Sequence, residues 1–146
     1  MASGRGCGGI RAVEALKELT LMNRMQLIIA IAAIFGLLAV IAGAAGTHAL
    51  RDTLDGGALR TFETAARFQM YHALALLAVG ILSMRWQTRV LTASAALFTL
   101  GILLFSGSLY ILALSGIGIF GAIAPIGGIS LMAGWASLVL AAFRAR

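Results

Sequence analysis

Four uninterrupted apolar runs, at about 26–47, 68–84, 91–114 and 123–143, constrain this chain more than any other feature. Each holds roughly 17 to 24 residues, and an α-helix needs about 20 to cross a 30 Å hydrocarbon core. A barrel strand would alternate apolar and polar residues, and these runs do not. Inside lipid the backbone has to satisfy its own hydrogen bonds, which selects the helix. The runs predict an all-α, polytopic membrane protein, a four-transmembrane-helix bundle. Composition agrees: 61% of the residues are hydrophobic and 11% charged, with a mean hydropathy of +1.01. A surface wetted by water carries about 25% charged residues, so lipid is the solvent that this chain suits.

Glycine, proline and charge divide the runs. The segment Leu59–Arg67 contains no Gly or Pro, so the second helix is expected to begin before its apolar run, near Ala58. Asp55-Gly56-Gly57 marks the turn ahead of it. Arg85–Arg89 reads as a short connection, and the uncharged Ser115–Gly121 as a loop at the interface. Pro125 suits the first turn of the fourth helix, where a missing N–H does no harm. Residues 1–21 are of mixed composition and read as a mobile or amphipathic cytoplasmic extension ahead of the transmembrane domain, 22–146. Ala42-Gly43-Ala44 resembles a signal-peptidase site, but the region before that apolar run is long for a signal peptide, so the first run is read as a span.

The net charge is +6. No basic stripe is interleaved with aromatic residues, which argues against nucleic acid as a partner. The basic residues instead flank the spans. Eight lie on one side of the expected topology, in the N-terminal segment, the second connection and the C-terminus; three lie on the other, Arg51, Arg60 and Arg67. The positive-inside rule then puts both termini of a multi-pass inner (plasma) membrane protein in the cytoplasm. The single cysteine, Cys7, permits no intrachain disulfide, cysteine-based zinc site or redox pair.

Helices in lipid associate through small residues. The first span carries Ala32, Gly36, Ala39, Gly43 and Gly46; the fourth carries Gly127, Ser130, Gly134, Ser137 and Ala141. Both sets alternate spacings of three and four, the repeat of a left-handed bundle. The third span has a partial version in Thr92, Ala96, Thr99 and Ser106. Gly36, Gly43 and Gly134 are therefore expected at helix–helix contacts, and Val139 toward lipid.

Polar residues are costly within a membrane and mark candidate sites. His48, Glu63, Arg67, Gln69, Tyr71, His72, Ser106, Ser108 and Tyr110 form the candidate cluster, all in the outer-leaflet half by this topology, with the inner half nearly bare. Arg60, Glu63, Arg67 and Tyr71 share one helical face, which predicts an ion pair of Glu63 with Arg60 or Arg67. His72 points elsewhere and is expected to hydrogen-bond to a neighbouring helix. A sharper alternative makes His48 and His72 axial ligands of a haem. Another makes Arg67, Tyr71 and His72 donors to a lipid or quinone headgroup. No zinc-ligand spacing, nucleophile elbow or pair of acids within a span suggests catalysis, a metal or a cofactor.

Several stretches resemble one small bacterial membrane family. Gly43-Ala44-Ala45-Gly46-Thr47-His48-Ala49-Leu50 and Phe62–Ala75, with its Tyr71-His72-Ala73-Leu74-Ala75, carry two of its motifs. Leu104-Phe105-Ser106-Gly107-Ser108-Leu109-Tyr110 and Ala124-Pro125-Ile126-Gly127-Gly128 carry two more. The chain resembles the domain-of-unknown-function 423 family, YgdD-like proteins that are similar to transmembrane protein 256, over about residues 25 to 143. It departs at Ala45 and Thr47, and again at Phe68 and Ala124, where the family usually has Tyr and Thr hydroxyls. The resemblance implies a small inner-membrane protein with several spans and carries no activity. The functional expectation is a non-enzymatic accessory or assembly partner in a membrane complex, with the bilayer, a larger complex or a second copy as partners.

Overall fold

The computed structural model describes residues 6–86 and 88–144. It contains α1 (Gly6–His48), α2 (Gly56–Leu82), α3 (Arg89–Ser115) and α4 (Ile119–Arg144), with no strand among the described residues. Residues 1–5 of the N-terminal extension, including Arg5, and Arg146 lie outside the described residues. All four helices are long and apolar enough to cross a membrane, α1 over Met22–His48. The all-α, four-span architecture expected from the apolar runs is the architecture observed.

The helix ends follow local chemistry. Asp55 caps α2, its Oδ1 accepting the N–H of Gly57 at 2.7 Å and of Ala58 at 2.9 Å. Thr88 caps α3 by accepting the Leu91 N–H at 3.2 Å. Gly116 closes α3 in the left-handed region, φ 68°, and donates its N–H to the Leu112 carbonyl. The third connection is shorter than the glycines suggested. Only Gly116–Gly118 is irregular, and Ile119–Gly121 already belong to α4. Pro125 therefore lies inside α4 and not in its first turn. Its missing N–H leaves the Gly121 carbonyl without its usual helical donor, an arrangement that membrane helices tolerate.

Packing is sequential: α1 on α2, α2 on α3, α3 on α4. Each pair is antiparallel. Gly46 meets Phe62 at the end that carries the first connection, while Gly80 meets Ile28 and Ile29 at the other. α1 has one substantial neighbour, α2, and most of its circumference is uncovered. The core is made of Leu76 and Val79 from α2, Leu91, Phe98 and Ile102 from α3, and Leu131 from α4.

The small-residue seams behave differently from one another. In α4, Gly127, Ser130, Gly134 and Ala141 are buried against α3. A Cβ at Gly127 would lie 2.7 Å from Phe105 Cα, and one at Gly134 would lie 2.8 Å from the Phe98 ring. Of the α1 seam, Ala32, Ala39 and Gly46 are buried. Gly36 and Gly43 are half-buried, and a Cβ at either would meet nothing within 4 Å. The expectation that these two glycines sit at helix contacts is corrected: they turn to the side of the α2 contact, where no described residue covers them. In α3, Thr92 and Ala96 are exposed, and the residues that meet neighbouring helices are Ser94, Phe98, Gly101 and Phe105.

Candidate functional site

The candidate polar residues belong mostly to α2, and its register decides their fates. Phe62, Ala65, Ala66, Gln69, His72, Ala73, Leu76 and Val79 recur at spacings of three and four and form its buried face. Gln69 and His72 fall on that face; Arg67 and Tyr71 fall on the opposite one and are exposed. Gln69 is the midpoint of Gly56–Leu82, so the two buried polar groups sit near mid-depth and not at a headgroup level.

Each buried group has a specific environment. Gln69 Nε2 donates to the Phe35 carbonyl of α1 at 2.8 Å, a hydrogen bond that ties the first two helices together. His72 makes its bond within its own helix, Nδ1 to the Phe68 carbonyl at 2.7 Å, not across helices as expected. A carbonyl only accepts, so the Nδ1 in this bond carries a proton. The imidazole stacks on Phe68 at 5.9 Å and lies 5.8 Å from Phe98 and 6.3 Å from Trp135. Phe68 in turn meets Phe105 at 4.9 Å, so an aromatic cluster with His72 at its centre joins α2, α3 and α4.

The remaining residues do not converge on that cluster. Ser108 bonds to the Phe105 carbonyl of its own helix at 3.0 Å. Ser106 Oγ and Tyr110 Oη, one helical turn apart on α3, are buried and have no hydrogen-bond partner among the described residues. The Tyr110 ring packs against Phe62 at 4.9 Å. Glu63 is half-buried beside Gly46, and neither Arg60 nor Arg67 lies within 4.0 Å of its carboxylate, so the expected ion pair is not formed. His48 is exposed at the end of α1. It lies two residues past Gly46, which packs on Phe62, and Phe62 is separated from His72 by roughly 15 Å along α2. Two axial ligands on one iron cannot be that far apart, so the histidines do not fit a haem.

Two buried serines stitch α3 to α4: Ser94, which sequence reasoning passed over, and Ser130, which it named only as a small seam residue. Ser94 Oγ donates to the Gly134 carbonyl at 2.9 Å, and Ser130 Oγ donates to the Leu97 carbonyl at 2.8 Å. Ser94 lies in the half of the bundle expected to be bare, so buried polar contacts occupy both halves. A serine in an apolar run gives no sequence signal for this, because an own-helix and a cross-helix bond need the same residue. A groove of about 660 Å³ between α1 and α3 was also missed. None of the candidate polar residues lines it.

Comparison with known proteins places this geometry in a group. The family described as "Protein of unknown function (DUF423)" matches residues 42–128. A UPF0382 membrane protein of Staphylococcus saprophyticus is 45% identical over 82% of this chain and 99% of its own length. The chain belongs to the DUF423 family. Other relatives are the UPF0382 membrane protein YwdK of Bacillus subtilis, 41% identical over 82% of this chain and 98% of its own length, and the UPF0382 inner membrane protein YgdD of Escherichia coli, 37% identical over 84% and 92%. No solved structure matches. As a DUF423 member the chain is a small integral membrane protein of a family without an assigned function. The matched segment covers Gln69, His72, Phe98 and Phe105, so most of the aromatic cluster lies within the DUF423 region, whereas Trp135 lies beyond it.

Proposed function

We propose that this protein is a non-catalytic accessory component of the inner membrane, with both termini cytoplasmic, that docks on other transmembrane helices through α1. The observation that carries this reading is the uncovered small-residue face of α1. Ala33, Val40 and Ala44 are exposed, and Gly36 and Gly43 between them would meet nothing if given a Cβ. Small residues let helix backbones approach closely, and van der Waals packing then drives association in lipid. The seam of α4 shows what such a surface does when it has a partner, with Gly127 against the backbone of Phe105. Gly43→Leu tests the proposal. It leaves the fold intact, because the site is open, but it blocks close approach. Cross-linking in native membranes from a cysteine at Ala33 should give one discrete product, a second copy or one other protein, that Gly43→Leu removes. Absence of a discrete product, or one that Gly43→Leu leaves unchanged, would refute it.

A second reading, a lipid or quinone headgroup bound near the first connection, is favoured by the buried hydroxyls of Ser106 and Tyr110. A buried hydroxyl without a partner is costly, and a ligand acceptor would offset that cost. Retention of an extracted lipid or quinone by the wild type and its loss in Ser106→Ala at unchanged stability would support this reading.

A further inference from the structure

The groove between α1 and α3 has a shape and charge that the topology alone does not require. α1 and α3 both pack on α2 and run parallel to each other, which leaves a furrow between them. Ile28 and Ile31 form one wall; Leu100 and Leu103 form the other, with Ala96 between the polar and apolar parts of α3. Arg24 and Arg89 also line it, at the first turns of their spans, beside Trp86 and Thr88. No acidic residue lines it among the described residues. Arg89 begins α3, where the helix dipole is already positive, so the dipole does not stabilise its charge and a bound anion would.

We infer that this groove binds one anionic phospholipid from the leaflet at the Arg24–Arg89 end, independently of the helix-docking role proposed above. Its length decides between a lipid and a partner helix. The groove runs from Arg89 to Leu103, at the middle of α3, which is roughly 21 Å along the axis. One leaflet contributes about 15 Å of a 30 Å hydrocarbon core, so an acyl chain plus a headgroup match the groove, whereas a transmembrane helix would need the whole thickness. The arginine guanidiniums meet the phosphate at its mouth, with the fork geometry that suits phosphate oxygens. Trp86 stands at the interface, where its ring prefers to lie. The apolar walls take one acyl chain, and the volume of about 660 Å³ lies within the range of ligand sites.

The test uses the delipidated full chain in non-ionic detergent, titrated with dioleoyl phosphatidylglycerol or dioleoyl phosphatidylcholine and read by native mass spectrometry. The wild type should retain one phosphatidylglycerol in preference to phosphatidylcholine. Arg24→Gln and Arg89→Gln should each reduce that preference by roughly five-fold. Arg51→Gln, at the other end of the bundle, should not. Ala96→Trp, at an exposed position, fills the groove and should lower retention of both lipids while circular dichroism stays unchanged. Equal retention of the two lipids by the wild type would overturn the inference. So would a loss in Arg51→Gln as large as in Arg24→Gln, which indicates diffuse attraction. Displacement of the lipid by inorganic phosphate at equal concentration would show a phosphate site without a chain site, and would also overturn it.

Discussion

Gly127→Ala and Gly43→Ala add the same methyl group to two similar seams, and the structure requires opposite outcomes. At Gly127 the new Cβ would lie 2.7 Å from Phe105 Cα and 2.8 Å from the Leu104 carbonyl carbon. Ordinary carbon contacts are about 3.5–4.0 Å, so α3 and α4 have to separate by about 1 Å. Both near atoms are backbone, and no side chain can rotate away. Overpacking of this kind costs about 1–3 kcal/mol. Separation also stretches the Ser94–Gly134 and Ser130–Leu97 hydrogen bonds, at 2.9 and 2.8 Å, each worth about 0.6 kcal/mol in a membrane. Alanine's helix propensity returns up to about 1 kcal/mol. The net expectation is a loss of about 1–3 kcal/mol. At Gly43 nothing lies within 4 Å of the new methyl, so only the propensity gain of up to about 1 kcal/mol remains. Unfolding of the purified chain by sodium dodecyl sulfate, followed by helical circular dichroism, measures the difference. Equal shifts for the two variants, or a Gly127→Ala protein as stable as the wild type, would refute the reasoning.

The two kinds of buried serine should also separate. Ser94→Ala removes a bond across helices and should lower stability by about 0.6 kcal/mol, whereas Ser106→Ala removes an unpartnered hydroxyl and should be neutral or stabilising in the same assay. A clear destabilisation by Ser106→Ala would show that its hydroxyl has a partner. The basic asymmetry of the chain predicts opposite reporter signals from fusions after Arg146 and within 52–57; equal signals at both sites would contradict the topology. At the start of α2, the N–H groups of Ala58 and then Gly57 hold the Asp55 carboxyl below its ordinary value. Its folded pKa is below its unfolded one, so the cap is fully effective above the ordinary carboxylate range and weakens as pH falls through the folded value. Asp55→Asn keeps an acceptor without the charge, and melting temperatures measured down through the carboxylate range should show less acid sensitivity than the wild type.

The apolar runs by themselves determined that this chain crosses a membrane as four helices, because run length and backbone satisfaction in lipid leave no other solution. Sequence also exposed most of the polar residues, since each is an exception in an apolar run, although Ser94 escaped it. It did not determine their partners. Gln69 and His72 are both buried on α2, yet one bonds to α1 and the other to its own helix, a difference of which carbonyl lies within reach. Nor did it separate the glycines. Gly43 and Gly134 share the same seam pattern, but one faces open space and the other the Phe98 ring. The reason is physical: helical period fixes which residues share a face, and only the placement of neighbouring helices decides whether that face is covered. The groove belongs to the same class, because Arg24 and Arg89 are far apart in sequence and come to line one furrow only when α1 and α3 both pack on α2.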